Sequence, residues 1–202
     1  MSILDRIIYK PGSISKEMAD DLFKWLRDEL AWVHVENTPR HEYYVNSYNQ
    51  PYTYGTGKGV RTYQPQPTNA GITAALSHLY VETGIIFDVV FLNRYLNQSD
   101  QLGWHSDNSP EMDDARPIAI LSLGVERDIM FRAMGEKDPK KAVRLKLEHG
   151  SVCIMPPGFQ DSHQHRIPKA SFICGERISL TFRGYVSDRP DPKIESGGHR
   201  CA

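Results

Sequence analysis

The succession of strand-like segments after residue 85 constrains the fold of this chain most strongly. Runs of β-branched and aromatic residues follow one another closely, and turn-forming residues such as Gly124 and Gly150 bound them. The segments read "IIFDVVFLNRY", "PIAILSLG", "RDIMFRA", "AVRLKLEHGSVCIMPPG" and "RISLTFRGYV". So many short strands predict a sheet that closes as a sandwich or jelly roll.

Two helices are predicted ahead of these strands. Ser15 can cap a helix over about residues 16–30, and a second helix over about 69–83 ends at Gly84. Each helix carries one apolar face, formed by Met18, Leu22, Leu26 and Leu30 on the first and by Ile72, Leu76 and Leu79 on the second. The segment between the helices is polar and rich in tyrosine. The chain is therefore expected to be an α+β protein.

Bulk composition excludes several classes of protein. A length of 202 residues suits one domain, and the net charge of -1 does not by itself indicate nucleic acid, although a local basic patch remains compatible with a phosphate backbone. The three cysteines are widely scattered, which favours a reducing compartment over a disulfide framework. No signal peptide or membrane-length apolar run is evident. We expect a cytoplasmic monomer, nuclear if the source is eukaryotic, without a membrane partner.

The segment "LGWHSDNSPE" carries the first chemical signal. If it is extended, His105 and Asp107 point to the same side, because strand side chains alternate with period two. An imidazole and a carboxylate on one face are two parts of the facial triad that holds Fe(II) in non-haem oxygenases. Alone, this pair is weak, because a polar loop can contain both residues by chance.

A facial triad needs a second histidine from a distant part of the chain. The candidates are His149, His163 and His165. His149 precedes a glycine in an apparent turn, which favours a structural role. His163 and His165 share the segment "DSHQHRIPKA", and only one of them is needed as a ligand.

The last strand, "RISLTFR", gives the stronger argument. Its alternation places three apolar residues on one face and Arg177, Ser179, Thr181 and Arg183 on the other. If the polar face meets solvent, as on an edge strand, nothing needs explaining. If it points into a barrel, the two arginines need anionic partners, because unpaired buried charge is costly. A small dicarboxylate fits, since arginine binds carboxylates bidentately.

The segment "FLNRY" adds polar groups to the same pocket. Phe91, Asn93 and Tyr95 share one strand face and offer an amide and a phenol, although ordinary surface residues would show the same pattern. Taken together, the histidine–aspartate pair, a distant histidine and the two-arginine strand predict Fe(II) with a carboxylate co-substrate.

The sequence resembles the AlkB family of Fe(II)- and 2-oxoglutarate-dependent dioxygenases. The resemblance spans about residues 39–185 and is densest in "LNRY", "WHSD", "ILSLG", "HGS", "HRIPK" and "RISLTFRGY". It implies a double-stranded β-helix, that is, a jelly roll with two N-terminal helices and a nucleotide-recognition lid. One domain is expected over residues 1–185, with the lid at about 37–67 and the jelly-roll core at about 85–185. Residues 186–202 are expected to form a flexible tail.

The resemblance also implies roles for individual residues. His105, Asp107 and His165 are expected to bind iron, with His165 preferred over His163 because the family histidine stands in an HxxP context, here "HRIP". Arg177 and Arg183 are expected to bind the two co-substrate carboxylates, with hydrogen bonds from Asn93 and Tyr95. The implied reaction consumes O2 and releases the oxidised methyl group of an alkylated base as formaldehyde.

Substrate contacts are expected mainly from the middle segment. The resemblance indicates Tyr54 for stacking on a flipped base, with Tyr52 beside it and Arg40 near the nucleic acid. The alternative is that these tyrosines simply pack one side of a hairpin. Lys58 and Arg61 are candidates for phosphate contacts, although solvated surface cations would look the same. Trp104, Asn108 and Glu111 complete the expected substrate-binding set.

One position departs from the family pattern. Members that repair methylated bases often carry an acidic residue two positions after the ligand aspartate, and here that position is Ser109. The acid is expected to help select a cationic damaged base. Base preference is therefore open, with Asn108 or Glu111 as possible substitutes.

Three functions are compatible with these features. The leading one is repair of alkylated DNA, or RNA, at bases such as 1-methyladenine and 3-methylcytosine. The second is a dioxygenase that acts on a protein or small molecule. The third is a catalytically silent jelly-roll binding module, which ranks last because the triad and both arginines are present.

Overall fold

The computed structural model describes residues 2–36, 38–55 and 60–186. Its helices are α1 (Lys16–Glu29), α2 (Ala70–Thr83) and the short α3 (Phe159–Ser162). Its strands are β1 (Ile8–Lys10), β2 (His41–Asn46), β3 (Tyr52–Tyr54), β4 (Arg61–Tyr63), β5 (Val89–Tyr95), β6 (Leu102–His105), β7 (Ile118–Gly124), β8 (Arg127–Ala133), β9 (Val143–Leu147), β10 (Ser151–Met155), β11 (His163–Ile167) and β12 (Arg177–Arg183). Lys58 and residues 187–202, on which two of the expectations above fall, lie outside the described residues.

Two antiparallel sheets form the body of the fold. The larger sheet has six strands in the order β1-β10-β7-β12-β5-β2, and the smaller has four in the order β6-β11-β8-β9. Strands β3 and β4 pair with each other as a separate two-stranded ribbon. Neighbouring strands are mostly distant in sequence, which is the pattern of a jelly roll and agrees with the prediction of a sandwich or jelly roll.

The apolar core has two layers on either side of the larger sheet. Toward the helices, β12 contributes Ile178, Leu180 and Phe182 to a cluster that also contains residues of α1 and α2. Between the sheets, Ile120 of the larger sheet packs with Phe131 of the smaller one. The larger sheet is therefore buried on both faces across its centre.

Strand β12 lies in the middle of the larger sheet, between β7 and β5. All of its residues are buried, so it is not a solvent-facing edge strand. Its polar face, with Arg177 and Arg183, lines a cavity between the two sheets. The predicted division of this strand into an apolar and a polar face is confirmed.

Ser15 caps the first long helix as expected, and Asn69, the first residue of the range expected for the second helix, is its cap. Ser15 accepts a hydrogen bond from the backbone of Met18 and Asn69 accepts one from that of Ile72, and α2 ends at Gly84 with φ 70°. The predicted stripe on α1 was wrong at Met18, whose side chain is 53% exposed while Ala19 is buried. A spacing of four residues drifts around a helix with 3.6 residues per turn, which turns Met18 away from the core.

The segment expected to form a lid divides into two parts. Strand β2 pairs with β5 and forms one edge of the larger sheet, so it belongs to the jelly roll. The β3–β4 ribbon is the part that stands apart from the two sheets. Among the described residues, none of the helices has the length and apolar character that crossing a membrane requires.

Candidate active site

His105, Asp107 and His165 meet at one end of the smaller sheet. His105 ends β6 and pairs in register with His165 of β11, while Asp107 follows two residues later. One potential ligand atom from each residue lies within 4.8 Å of the others. Nε2 of each histidine is 3.7 Å from an oxygen of Asp107, too far for a hydrogen bond. The three side chains therefore converge without bonding one another.

Arg183 determines the charge balance of this cluster. Its Nη2 lies 2.7 Å from Oδ1 of Asp107, whose side chain is only 3% exposed. Burial by itself would raise the pKa of Asp107, but Arg183, together with the two histidines, lowers it below its ordinary value. The carboxylate is thus held in its charged form although its side chain is buried.

Both histidines are held in their neutral form. Burial lowers the pKa of His165 to about 3, with a further contribution from His105, and burial also lowers the pKa of His105. Nδ1 of His105 lies 2.9 Å from the carbonyl oxygen of Gly103, which places the proton on Nδ1 and leaves Nε2 as a lone-pair donor. Two neutral imidazoles beside a carboxylate are the protonation states that metal binding requires.

Gln160 supports Asp107 from the opposite side. The backbone N–H of Asp107 donates to Oε1 of Gln160 at 3.0 Å, and the Gln160 side chain is buried and also contacts Sδ of Met155. Nothing in the sequence pattern indicated this residue, because its partner is 53 positions away.

The other candidate histidines lie outside the cluster. His163, the first residue of β11, stacks on Phe159 with ring centroids 4.5 Å apart and is not one of the three converging residues. His149 accepts a hydrogen bond from the backbone of Gly124 and contacts Asp20 of α1, so it ties a turn to a helix. The preference for His165 agrees with this geometry.

A cavity between the two sheets adjoins the cluster. Its polar wall includes Asn93 and Tyr95 of β5 and Arg177, Ser179, Thr181 and Arg183 of β12, and His105, Asp107 and His165 line it as well. The antiparallel register places Arg177 opposite Tyr95 and Ser179 opposite Asn93. The residues predicted for the co-substrate therefore share one cavity with the proposed metal ligands.

Arg177 is the available cation of this inter-sheet cavity. It is fully buried, and its one hydrogen bond, from Nη2 to Oγ of Ser122, leaves Nε and Nη1 without a partner among the described residues. The hydroxyl of Tyr95 is likewise buried and unpartnered there. Burial lowers the pKa of Arg177 to about 10. A buried arginine with free donors next to a free phenol calls for an anionic ligand.

Arg183 differs from Arg177 in its surroundings. The sequence assigned both arginines to the co-substrate, but the guanidinium of Arg183 is already paired with Asp107, and its Nη1 lies 3.4 Å from the hydroxyl of Tyr52. Arg183 therefore lies between the metal cluster and the second pocket, described next, whereas Arg177 lies deeper in the inter-sheet cavity.

The second pocket opens over the cluster and is walled by aromatic side chains. We call it the tyrosine pocket; it is lined by His105 and Asp107 of the cluster and by Arg40, Tyr52, Tyr54, Tyr63, Phe91, Asn93, Leu102 and Arg183. Burial raises the pKa values of Tyr54 and Tyr63 to about 12, so their hydroxyls stay neutral. Arg40, Tyr52 and Tyr54 thus lie together at the site, as predicted.

Ser109 forms part of the wall behind this pocket. Its hydroxyl lies 3.0 Å from that of Tyr52, and both residues are buried. Asn108 instead accepts a hydrogen bond from Ser106 at the surface, and Glu111 lies near Tyr185. Neither Asn108 nor Glu111 is among the residues that line the tyrosine pocket, and Ser109 adjoins it only through Tyr52.

Trp104 lies away from both cavities. Alternation along β6 turns its ring to the face opposite His105. There the guanidinium carbons of Arg132 and Arg166 lie 4.3 Å and 4.7 Å from the centroid of the Trp104 ring. The expectation that it lines the substrate site is therefore corrected. Arg61, which was a candidate for a phosphate contact or a solvated surface cation, is bound to the buried carboxylate of Glu42, a residue that the sequence analysis did not single out.

The arrangement fits a metal ion and a dicarboxylate. The three converging side chains offer two imidazole nitrogens and a carboxylate, and Oδ2 of Asp107 is buried without a hydrogen-bond partner among the described residues. This donor set suits Fe(II), and the unpartnered groups of Arg177 and Tyr95 suit a carboxylate such as that of 2-oxoglutarate.

Comparisons with known proteins agree with this chemistry. The sequence profile of the 2OG-Fe(II) oxygenase superfamily matches residues 6–183. The chain is 30% identical to the bovine (Bos taurus) alpha-ketoglutarate-dependent dioxygenase alkB homolog 3, covering 94% of this chain and 68% of the relative. It is 31% identical to the human (Homo sapiens) DNA oxidative demethylase ALKBH2, covering 83% and 69%.

A solved structure supports the same fold. The structure of OsALKBH1 superposes with a TM-score of 0.61 at 16% identity, over 88% of this chain and 97% of that one. The fold, the converging site and the two sets of relatives lead to one assignment. The chain belongs to the AlkB family of Fe(II)- and 2-oxoglutarate-dependent dioxygenases.

Proposed function

We propose that this dioxygenase is an oxidative demethylase of alkylated bases in DNA. The observation that carries the proposal is the tyrosine pocket, because it opens directly onto the His105–Asp107–His165 cluster and has aromatic walls. Planar bases that are flipped out of a strand bind by stacking on such side chains. The relatives of this chain include an enzyme that is named as a DNA oxidative demethylase.

In this proposal His105, Asp107 and His165 hold Fe(II), and Arg177 with Tyr95 and Asn93 holds 2-oxoglutarate. When bound, iron and 2-oxoglutarate would supply the oxidation of an N-methyl group by O2, in which 2-oxoglutarate is decarboxylated to succinate and CO2 and the methyl group leaves as formaldehyde. Arg183 keeps Asp107 ionised, and His105 keeps Nε2 free by donating from Nδ1 to Gly103.

The pocket residues act on the base. Tyr54 and Tyr52 are proposed to bind the flipped base, and the β3–β4 ribbon that carries them is proposed as the nucleotide-recognition lid, with the two N-terminal helices supporting the larger sheet from behind. Tyr52 is fixed by Ser109 and Arg183 and so has a defined position over the cluster. Burial of these walls excludes water from the reacting methyl group.

The proposal also covers the location of the protein, its oligomeric state and RNA as a second substrate. We propose that the protein is a monomer of the cytoplasm, or of the nucleus if the source is eukaryotic, and that RNA carrying the same methylated bases is an additional substrate. Acceptance of RNA is compatible with recognition through stacking, because every base has an aromatic face.

The test is direct repair. The purified protein is incubated anaerobically with Fe(II) and 2-oxoglutarate, and air is then added with an oligonucleotide that contains 1-methyladenine or 3-methylcytosine. Formaldehyde, succinate and the unmodified base should appear together and vanish in an Asp107→Ala variant. Succinate without repair would retain the dioxygenase but redirect the search to a protein or small-molecule substrate.

A further inference from the structure

The buried carboxylate of Glu42 is bound by two arginines from different parts of the molecule. Glu42 lies on β2, and its side chain is 3% exposed. Arg61 of the β3–β4 ribbon donates from both terminal nitrogens, with Nη1 3.2 Å from Oε1 and Nη2 bound to Oε2. Arg40, just before β2, donates from Nη2 to Oε1 at 2.6 Å. The ribbon is thus joined to the edge of the jelly roll by one carboxylate.

Arg40 extends this connection to the co-substrate cavity. Its Nε donates to Oδ1 of Asn93 at 2.7 Å, and Asn93 lies directly opposite Glu42 in the pairing of β2 with β5. Because Oδ1 of Asn93 is engaged by Arg40, the amide nitrogen is the group left to face the inter-sheet cavity, which Asn93 also lines. The orientation of this amide therefore depends on Arg40, and that of Arg40 depends on Glu42.

The charges make the carboxylate indispensable to this arrangement. The side chains of Arg40 and Arg61 are only 13% and 27% exposed, and both contact the same oxygen of Glu42. Without the negative charge, two partly buried guanidinium groups would repel each other and lack an anionic partner. Each would then move toward water, Arg61 with the ribbon and Arg40 away from Asn93.

We propose that Glu42 is a positioning residue that fixes the β3–β4 ribbon over the tyrosine pocket and, through Arg40, fixes the Asn93 amide toward 2-oxoglutarate. The proposal rests on the proposed function for its substrate half, since Tyr52 and Tyr54 of the ribbon are the residues assigned to the base. Its co-substrate half rests on 2-oxoglutarate alone. Glu42 itself lines neither the inter-sheet cavity nor the tyrosine pocket.

The test separates the two proposed effects of Glu42, on the β3–β4 ribbon through Arg61 and on the Asn93 amide through Arg40. Glu42→Gln, Arg61→Gln and Arg40→Gln are compared with the unsubstituted protein in three measurements. These are the 2-oxoglutarate Kd by calorimetry on the Mn(II)-loaded protein, the 2-oxoglutarate KM in turnover without oligonucleotide, and the KM for a methylated oligonucleotide. Glu82→Gln is the matched control, because it removes the carboxylate of a half-exposed ion pair with Lys10 on a distant surface.

We expect Glu42→Gln to raise both 2-oxoglutarate constants and the oligonucleotide KM about tenfold or more, since small displacements of positioned groups have effects of this size. Arg61→Gln should raise only the KM for the oligonucleotide. Arg40→Gln should raise that KM and also the Kd and KM for 2-oxoglutarate. Glu82→Gln should change none of them.

A change in thermal stability alone does not show whether Glu42 positions the ribbon and the Asn93 amide. A Glu42→Gln protein that melts at a lower temperature but keeps all three constants would overturn the proposal and leave Glu42 a structural residue. If Glu42→Gln does not fold, the two arginine variants still test the proposal. If Arg40→Gln and Arg61→Gln changed every constant equally, Arg40 and Arg61 would not have the separate roles proposed for them. If the unsubstituted protein repairs no oligonucleotide, the substrate half falls with the proposed function, and the 2-oxoglutarate constants decide the other half.

Discussion

Nη2 of Arg183 lies 2.7 Å from Oδ1 of Asp107, so the last strand of the larger sheet holds a proposed metal ligand that follows a strand of the smaller sheet. This ion pair joins two segments that are remote in sequence. It also lowers the pKa of Asp107 against the opposing effect of burial.

Replacing Arg183 is therefore expected to weaken metal binding. In Arg183→Gln the Asp107 carboxylate loses its cation and the pKa of its carboxyl rises, so protons compete with the metal. Removal of such supporting partners typically weakens metal affinity about 10- to 100-fold. Titration with Co(II), followed by its absorption, measures the Kd. Arg144→Gln, which removes an exposed pair with Asp128, should leave it unchanged. An unaltered Kd in Arg183→Gln would show that the pair does not tune the ligand.

Gln160 is expected to act on the same ligand through the backbone. Gln160→Leu removes the acceptor for the N–H of Asp107 while keeping the side chain buried and of similar size. The peptide of Asp107 then loses its fixed orientation, and Co(II) affinity should fall about tenfold. The 2-oxoglutarate Kd, measured with saturating metal, should change little. The opposite pattern, with metal affinity intact and 2-oxoglutarate weakened, would contradict this role.

Arg177 is expected to dominate co-substrate binding. Arg177→Gln removes the buried guanidinium that has two unpartnered donor nitrogens among the described residues, and the 2-oxoglutarate Kd should rise about 100-fold or more, since loss of one member of a buried charge pair costs about 2–5 kcal/mol. Tyr95→Phe, which removes only the free hydroxyl, should raise it less, about fivefold. Calorimetry on the Mn(II)-loaded protein distinguishes the two variants. Equal small effects from both would indicate that the carboxylate binds elsewhere.

Ser109 offers a test of base selection. Ser109→Asp places a carboxylate next to Tyr52 at the wall of the tyrosine pocket. The ratio of kcat/KM for cationic 3-methylcytosine to that for neutral 3-methylthymine should rise about tenfold, which corresponds to ~1.4 kcal/mol of added attraction. Asn108→Asp adds the same charge at the surface and should leave the ratio unchanged. A ratio that does not change in Ser109→Asp would mean that the base lies away from this wall.

The lowered histidine pKa values predict how the metal-free protein responds to acid. The pKa of His165 falls from its ordinary 6.5 to about 3 on folding, so below about pH 6.5 the unfolded chain binds a proton that the folded protein does not. The contribution of neutral His165 to stability is therefore complete above about pH 6.5 and falls by about 1.4 kcal/mol per pH unit as the pH drops toward the folded pKa of about 3. His105, whose pKa is also lowered, adds to the loss in the same direction. Urea unfolding between about pH 7 and pH 5 measures this slope. His165→Asn should flatten it, and an unchanged slope would place the acid sensitivity elsewhere.

Local patterns in the sequence predicted the parts of the site that depend on alternation. The polar face of β12 and the shared direction of Asn93 and Tyr95 follow from the period of two, and a strand carries that period whatever it packs against. The pairing of His105 with His165 is different, because register between β6 and β11 is set by tertiary structure. Only the family resemblance singled out His165.

The residues that sequence analysis missed are those whose partners are remote. Glu42 binds Arg61 from 19 positions away and Gln160 binds the backbone of Asp107 from 53 positions away, and neither contact leaves a periodic trace. Trp104 was misassigned for the opposite reason, since its proximity to His105 in sequence suggested a shared site although adjacent strand residues face opposite sides. Arg183 was assigned by its motif to the co-substrate, while its position beside Asp107 depends on how the two sheets pack.

Strand β6 is an outer strand of the smaller sheet, and outer strands bear on whether a protein aggregates. Strand β6 is four residues long, pairs on one side with β11 and forms an edge of the sheet, and His105 at its end lies opposite His165. A metal ion held by both histidines would clip this edge to its neighbour. The pairing of β6 with β11 already holds this edge without the ion, and β6 exposes only four residues along its outer side, a short edge that disfavours aggregation because long unpaired edges template it.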